Sequence, residues 1–228
     1  LHKSGNLIEA EKGYRILLKK RKINPNIFTS LGLICNQTAR ENESVDFFKK
    51  AIEANPCDEL ALNNLGLIFF KNKKHKKAKI FFLNAIKLSK NAKTYFYLGQ
   101  IYTELNNYNQ AINNFQESIK INDSAEAFCN LGNLLYLKGE INDAEKYTNL
   151  AIKKNPGMDI AYNNKGLICL ANGQINKAKS NFIQAIKINK NNFRAYYNLS
   201  SVSNYFQNNK HLKELFNLLK SSKNNKKK

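Results

Sequence analysis

The chain has 228 residues, with 37 Lys and Arg against 17 Asp and Glu and a formal charge of +20. Hydrophobic residues make up 43% and aromatic residues 11%, enough to bury a core, which excludes a fully disordered chain. Only 10 Gly and 3 Pro punctuate it, which argues for helices and against a loop-rich all-β fold. No apolar run reaches the ~18–20 residues of a membrane-spanning helix.

In chain order, residues 1–24 read as one amphipathic helix. A short Leu-Gly-like element then recurs, at Leu31-Gly32, Leu65-Gly66, Leu98-Gly99, Leu131-Gly132, Lys165-Gly166 and Leu199-Ser200, in steps of 34, 33, 33, 34 and 34 residues. Twelve residues after each of the first five comes a small residue: Ser44, Ala78, Ala111, Ala144 and Ala178. Seven further on comes another: Ala51, Ala85, Ser118, Ala151 and Ala185. Phe48, Phe82, Phe115 and Phe182 lie between these small residues, with Thr148 the exception.

Self-similarity at this period marks a repeat architecture. Apolar spacings of three and four residues within each unit predict two amphipathic helices. The small residues let the two helices approach, and the aromatic fills the groove between them. Lys73, Asn106, Gly139 and Gly173 fall at the turn between helices. One such hairpin cannot bury its own apolar face, so the units must stack.

The pattern resembles the tetratricopeptide repeat family from residue 1 to about 204. The resemblance implies an all-α, right-handed superhelix of about six helix-turn-helix repeats with a C-terminal capping helix. The expected units are a second helix of a truncated repeat at 1–24, repeats at 25–58, 59–91, 92–124, 125–158 and 159–192, a degenerate repeat with capping helix at 193–220, and a basic tail at 221–228. The chain opens on Leu1 with an unpartnered second helix and closes on a Lys tail, as expected of a piece of a longer protein.

In the family, first helices line a concave groove through positions 2, 5, 6, 9, 12 and 13, the Gly being position 8. Position 6 here reads Ser30, Asn64, Tyr97, Asn130, Asn164 and Asn198. This resembles the asparagine row in the repeats of protein O-GlcNAc transferase, which holds the main chain of an extended peptide. The chemistry suits the task, because an amide side chain donates and accepts at once, as a peptide group does. Asn64, Asn130, Asn164 and Asn198 are therefore expected to grip a peptide. Tyr97, Asn133 and Tyr197 lie beside them, and Tyr97 is placed to stack on a ligand. Asn is abundant throughout, however, at 37 residues. Phe96, Phe70 and Tyr136 are further candidates for anchoring or for packing between units. A second groove type in the family clamps a C-terminal carboxylate with Lys at position 5 and basic residues at positions 2 and 6. Position 5 here is Thr29, Asn63, Phe96, Cys129, Asn163 and Tyr197, and Lys93 and Arg194 at position 2 have no basic partner at position 6. The clamp is therefore not expected.

The charge is concentrated. Residues 71–79 hold six Lys and no acid, and residues 205–228 hold seven Lys and one Glu, so the two stretches supply 12 of the +20. Lys73, Lys74, Lys76 and Lys77 flank the start of a helix, where they could receive an anion. Residues 71–79 hold no Phe, Tyr or Trp and the Lys-rich end at 220–228 none either, so nucleic-acid recognition by base stacking gains no support.

No catalytic constellation is apparent. His2, His75 and His211 have no Cys, Ser or Asp partner placed by the repeat, and there is no Gly-rich phosphate loop. No cofactor or metal is expected. The four cysteines, Cys35, Cys57, Cys129 and Cys169, form no Cys-x-x-Cys pair and read as reduced thiols of a cytoplasmic protein. Cys35 and Cys169 fall at a core position, and Cys129 on the groove face. Residues Ser203-Asn204-Tyr205-Phe206 and Lys210–Leu215, with the opening His2–Glu11, resemble bacterial repeat regions fused to sulfotransferase or other transferase domains. The expected function is thus a non-catalytic scaffold that binds an extended peptide or partner protein. The alternatives are the substrate-recruiting region of a glycosyltransferase or sulfotransferase, and a nucleic-acid or anionic-membrane binder acting through the Lys patches.

Overall fold

The computed structural model describes residues 6–19 and 24–202, which form twelve α-helices and no strand. The expected capping helix at 207–220, the tail at 221–228, the junction residues from Ser203 onward, and His2 and His211 lie outside the described residues.

The chain divides into two compact units, residues 1–121 and 122–228. The first holds α1 (Leu7–Lys19), α2 (Pro25–Gln37), α3 (Glu41–Ala54), α4 (Glu59–Lys71), α5 (His75–Leu88), α6 (Ala92–Glu104) and α7 (Tyr108–Ile121). The second holds α8 (Ala125–Leu137), α9 (Ile141–Lys154), α10 (Asp159–Ala171), α11 (Ile175–Ile188) and α12 (Phe193–Ser201). In the first unit α2 pairs with α3, α4 with α5, and α6 with α7; in the second, α8 pairs with α9 and α10 with α11. First helices also touch first helices, α2 to α4 to α6 in one unit and α8 to α10 to α12 in the other. Each unit therefore presents a continuous first-helix face.

Local chemistry sets the helix ends. First helices mostly start at a side-chain cap. Asn24 Oδ1 accepts from Asn26 N–H at 3.0 Å with Pro25 following, Asp58 Oδ1 accepts from Ala61 N–H at 2.9 Å, and Ser124 Oγ accepts from Ala127 N–H at 3.1 Å. The second helices α3, α5, α9 and α11 have no such cap. They follow a tight turn whose central residue is left-handed in every hairpin: Ala39, Lys73, Asn106, Gly139 and Gly173, at φ 56 to 81°. In each turn that residue's N–H returns to a first-helix carbonyl, and the next N–H to the carbonyl before it. Examples are Gly173 to Leu170 at 2.9 Å and Gln174 to Cys169 at 2.8 Å. This Schellman arrangement satisfies carbonyls that the helix end leaves free.

One contact holds each hairpin closed. Phe48, Phe82, Phe115 and Phe182 are at most 1% exposed and sit against Gly32, Gly66, Gly99 and Gly166 respectively. A Cβ on Gly66 would lie 2.7 Å from Phe82 Cε1, closer than real contacts allow. The absent side chain is thus the space the ring occupies. The small residues at both flanking positions of each second helix are fully or almost fully buried, and Ser44 Oγ donates to Gly32 O at 2.8 Å. Thr148 takes the ring's place against Gly132. It is fully buried, and its hydroxyl has no hydrogen-bond partner.

The first helix is tied on by charge. Arg40 reaches Glu11 with two hydrogen bonds at 2.8 and 2.5 Å, and Arg15 bridges Glu11 and Glu43. The hydrogen bond from Arg40 is the main reason the Glu11 carboxyl titrates at about 2, well below its usual range.

Replacing Gly66 by Ala crowds a ring that cannot move. The overpacking cost of about 1–3 kcal/mol should exceed the ~1 kcal/mol gained in helix propensity. Urea unfolding followed by circular dichroism should therefore show Gly66→Ala to be less stable. Gly13→Ala, with nothing within 4 Å of the new Cβ, should show no loss. Equal stability of the two variants would contradict the packing role.

Candidate functional site

The first-helix face of residues 122–202 carries a cleft of about 390 Å³. It gathers four of the seven residues expected to bind a peptide: Asn133 from α8, Asn164 from α10, and Tyr197 and Asn198 from α12. Asn163 and Leu167 of α10 and Phe193 and Arg194 of α12 complete the lining. The repeat geometry explains the convergence. Positions 5, 6 and 9 share one helix face, and α10 touches both α8 and α12.

The amides in the cleft are unequal. Asn163 is 5% exposed, and its Oδ1 accepts from Asn198 Nδ2 at 2.9 Å, which fixes the register of α12 on α10. The Nδ2 of Asn163 has no partner among the described residues. Asn164 is 7% exposed and donates to Cys129 Sγ at 3.5 Å, a weak bond, which leaves its Oδ1 free. Asn133 makes no hydrogen bond among the described residues. The two adjacent amides line the cleft with the Nδ2 of Asn163 and the Oδ1 of Asn164 unpartnered among the described residues, and the amide of Asn133 makes no bond there either. Tyr197 is 73% exposed beside them, and Phe193 44%.

The other expected residues differ in placement. Asn130 donates to Glu126 O at 2.8 Å and Asn64 to Leu60 O at 2.7 Å, each within its own helix. Both keep an acceptor and a second N–H. Tyr97 is half-buried among other aromatic rings. Its ring stacks on Phe82 at 5.6 Å and contacts Phe70 at 5.3 Å and Phe96 at 5.7 Å, so it is part of the packing of residues 1–121. Phe96 also meets Phe115 edge-on at 5.7 Å. Cys129 is not a groove thiol either. It is buried beneath Asn164, and burial pushes its pKa up to about 12. Cys35 and Cys169 are buried as expected, and desolvation raises both.

Lys73, Lys74, Lys76 and Lys77 line a separate cleft in residues 1–121, with His75 and Leu105. None of the four forms an ion pair among the described residues. Lys77 Nζ rests 5.9 Å from the Phe69 ring centre, and His75 meets Phe70 edge-on at 5.7 Å. Among the described residues no three His, Cys, Asp or Glu side chains are grouped to hold a metal ion, and no helix is long and apolar enough to cross a membrane.

Sequence reasoning missed Asn163, Leu167, Phe193 and Arg194. A signal was present: Arg194 and Asn198 are four apart on α12 and share a face, and Asn163-Asn164 is a doublet at positions 5 and 6.

Stacked helical hairpins locked by a Gly–aromatic contact define an α-helical repeat protein. Family models for the tetratricopeptide repeat match residues 25–56, 160–192 and 47–80, and a further TPR repeat model matches 99–139. Together they cover more than half of the chain, and the chain belongs to the tetratricopeptide repeat family, whose members are typically protein-interaction scaffolds. A curated relative, anaphase-promoting complex subunit 3 of Schizosaccharomyces pombe, is 35% identical over 79 residues. That match covers 35% of this chain and only 12% of the relative's length. Among solved structures, YrrB, described as a TPR protein with an unusual peptide-binding site, superposes with a TM-score of 0.72 at 19% identity, covering 81% of this chain and 96% of that one. PilF of Pseudomonas aeruginosa gives 0.73 at 16% identity, over 87% and 91% of the two chains. MamA gives 0.66 at 23%, over 73% and 92%. These structural likenesses establish the fold.

The burial of three cysteines gives a direct check. Ellman's reagent should titrate one thiol, Cys57, rapidly in the folded protein, and Cys35, Cys129 and Cys169 only after unfolding. Fast reaction at Cys129, identified by mass spectrometry of the labelled peptide, would contradict its packing under Asn164.

Proposed function

We propose that the chain is a protein-interaction module that holds an extended peptide segment of a partner protein on the first-helix face of residues 122–202. The observation that carries this reading is the buried Asn163-Asn164 pair, with a free Nδ2 on one residue and a free Oδ1 on the next. Both atoms are open to solvent rather than sealed in the core, so pairing each with a ligand group gains about 1 kcal/mol net. A peptide group supplies both complements at once. Asn133 adds a further amide, and Tyr197 a large exposed ring of the kind that dominates binding energy at interfaces. Asn130 lies on the same helix as Asn133, and its remaining oxygen and N–H extend the row. Each net hydrogen bond contributes about 1 kcal/mol, so the amides alone supply only millimolar affinity. The ring of Tyr197 is what brings binding toward the micromolar range. Membership of a repeat family of interaction scaffolds and the likeness to a subunit of a multiprotein complex agree with a protein partner.

The test uses residues that hold nothing else together. The side chains of Tyr197 and Asn133 make no hydrogen bond among the described residues, so the double variant Asn133→Ala/Tyr197→Ala should keep its helical circular dichroism. A dodecapeptide selected from a random library on the full chain should bind it roughly thirtyfold more weakly by calorimetry, from about 2 kcal/mol of lost contact. Unchanged affinity for every selected peptide would overturn this reading.

A further inference from the structure

The side chain of Arg194 makes no hydrogen bond or ion pair among the described residues. It stands in the first turn of α12, where the helix dipole disfavours positive charge. No carboxylate among the described residues lies within ion-pair distance of it, whereas Arg15 and Arg40 are both paired with Glu11. The cleft it lines contains no acidic residue.

The corresponding place in residues 1–121 shows what has been left open. There Asn63, the counterpart of Asn163, is held at both ends: its Oδ1 accepts from Thr94 Oγ1 at 2.8 Å, and its Nδ2 donates to Glu59 Oε1 at 3.3 Å. A carboxylate side chain, supplied by the protein itself, satisfies that amide. The residue at the position of Glu59 in the second unit is Asp159. Its side chain is one methylene shorter, and its Oδ2 is taken by Asn189 Nδ2 at 2.8 Å and Asn192 Nδ2 at 2.9 Å. Among the described residues, therefore, Asn163 Nδ2 has no carboxylate partner, and the guanidinium of Arg194, also unpaired among them, lines the same cleft.

We infer that the cleft takes a peptide bearing an aspartate or glutamate side chain, whose carboxylate is received by Arg194 with Asn163 Nδ2, and whose neighbouring residue packs on Tyr197 and Phe193. This inference rests on the peptide-binding reading above and names the ligand's chemistry. A single guanidinium among neutral amides matches one negative charge. A phosphorylated side chain, by contrast, is ordinarily met by a cluster of arginines. The guanidinium fork fits a planar carboxylate with two parallel hydrogen bonds. Phe193 and Arg194 are adjacent, and Tyr197 is three residues on, so charge and ring contacts fall on neighbouring ligand residues.

Arg194 makes no intramolecular bond among the described residues, so Arg194→Ala should fold normally. Random dodecapeptides displayed with their C termini fused to the carrier are selected on the full chain. Those whose binding depends on Tyr197 are remade as C-terminally amidated synthetic peptides. The inference expects an Asp or Glu at one fixed register. Replacing it by Asn or Gln should lower affinity about tenfold for the wild-type chain and leave affinity for Arg194→Ala unchanged, while Arg194→Lys retains part of the preference. Tyr197-dependent peptides without a fixed acid would overturn the carboxylate inference and leave the peptide-binding reading standing. So would an acid whose replacement costs as much in Arg194→Ala as in the wild type. If no selected peptide depends on Tyr197, both fall.

Discussion

The structure depends on one repeated contact, a buried side chain of a second helix against a glycine of the first. Because Gly66 has no Cβ, α4 and α5 approach until the Phe82 ring fills the gap between them. The same contact recurs at Gly32 with Phe48, Gly99 with Phe115 and Gly166 with Phe182. It sets the angle and spacing of each hairpin, and so decides which residues of the first helix turn away from the core. Burying one such ring is worth roughly 1.5–3 kcal/mol, a large share of the margin that holds a domain together. Where Thr148 replaces the ring the hairpin persists, because the flanking Ala144 and Ala151 are fully buried and Tyr147 stacks on Phe128 at 6.2 Å. The cost is a buried hydroxyl without a partner.

The candidate site is a consequence of this geometry. With the hairpins fixed, positions 5, 6 and 9 of α8, α10 and α12 fall on one face. What those positions do depends on the local supply of partners. Asn63 is silenced by Glu59 and Thr94, whereas Asn163, with Asp159 occupied elsewhere, keeps a free donor. Identical residues at equivalent places in the repeat thus have different chemistry. The unpartnered nitrogen of Asn163 coincides with a side chain one methylene shorter at Asp159 than at Glu59.

Most of the fold was legible in the sequence because the repeat repeats its constraints. Gly, small residue, aromatic and small residue return at fixed intervals, and each has one physical use. The left-handed turn position was legible at Gly139 and Gly173. It could be extended to Lys73 and Asn106 by register alone, though Ala39 gives no local sign of it. The site was less legible. The Asn row was found by position, but whether an amide is free depends on neighbours roughly 30 residues away, as Thr94 is from Asn63. Tyr97 was expected beside a ligand, and its contacts with Phe70, Phe82 and Phe96 were not legible, because they join a first-helix ring to the ring lock of the neighbouring hairpin. Cys129 looked like a groove residue and is covered by Asn164.

The most direct test is nuclear magnetic resonance of the side-chain amides in the full chain, before and after saturation with a dodecapeptide selected on it. The account predicts that the side-chain NH₂ signals of Asn133 and Asn163 shift on binding, while that of Asn63, already paired with Glu59, does not move. A peptide that binds and leaves Asn133 and Asn163 unmoved, or that shifts the Lys73–Lys77 turn instead, would contradict it.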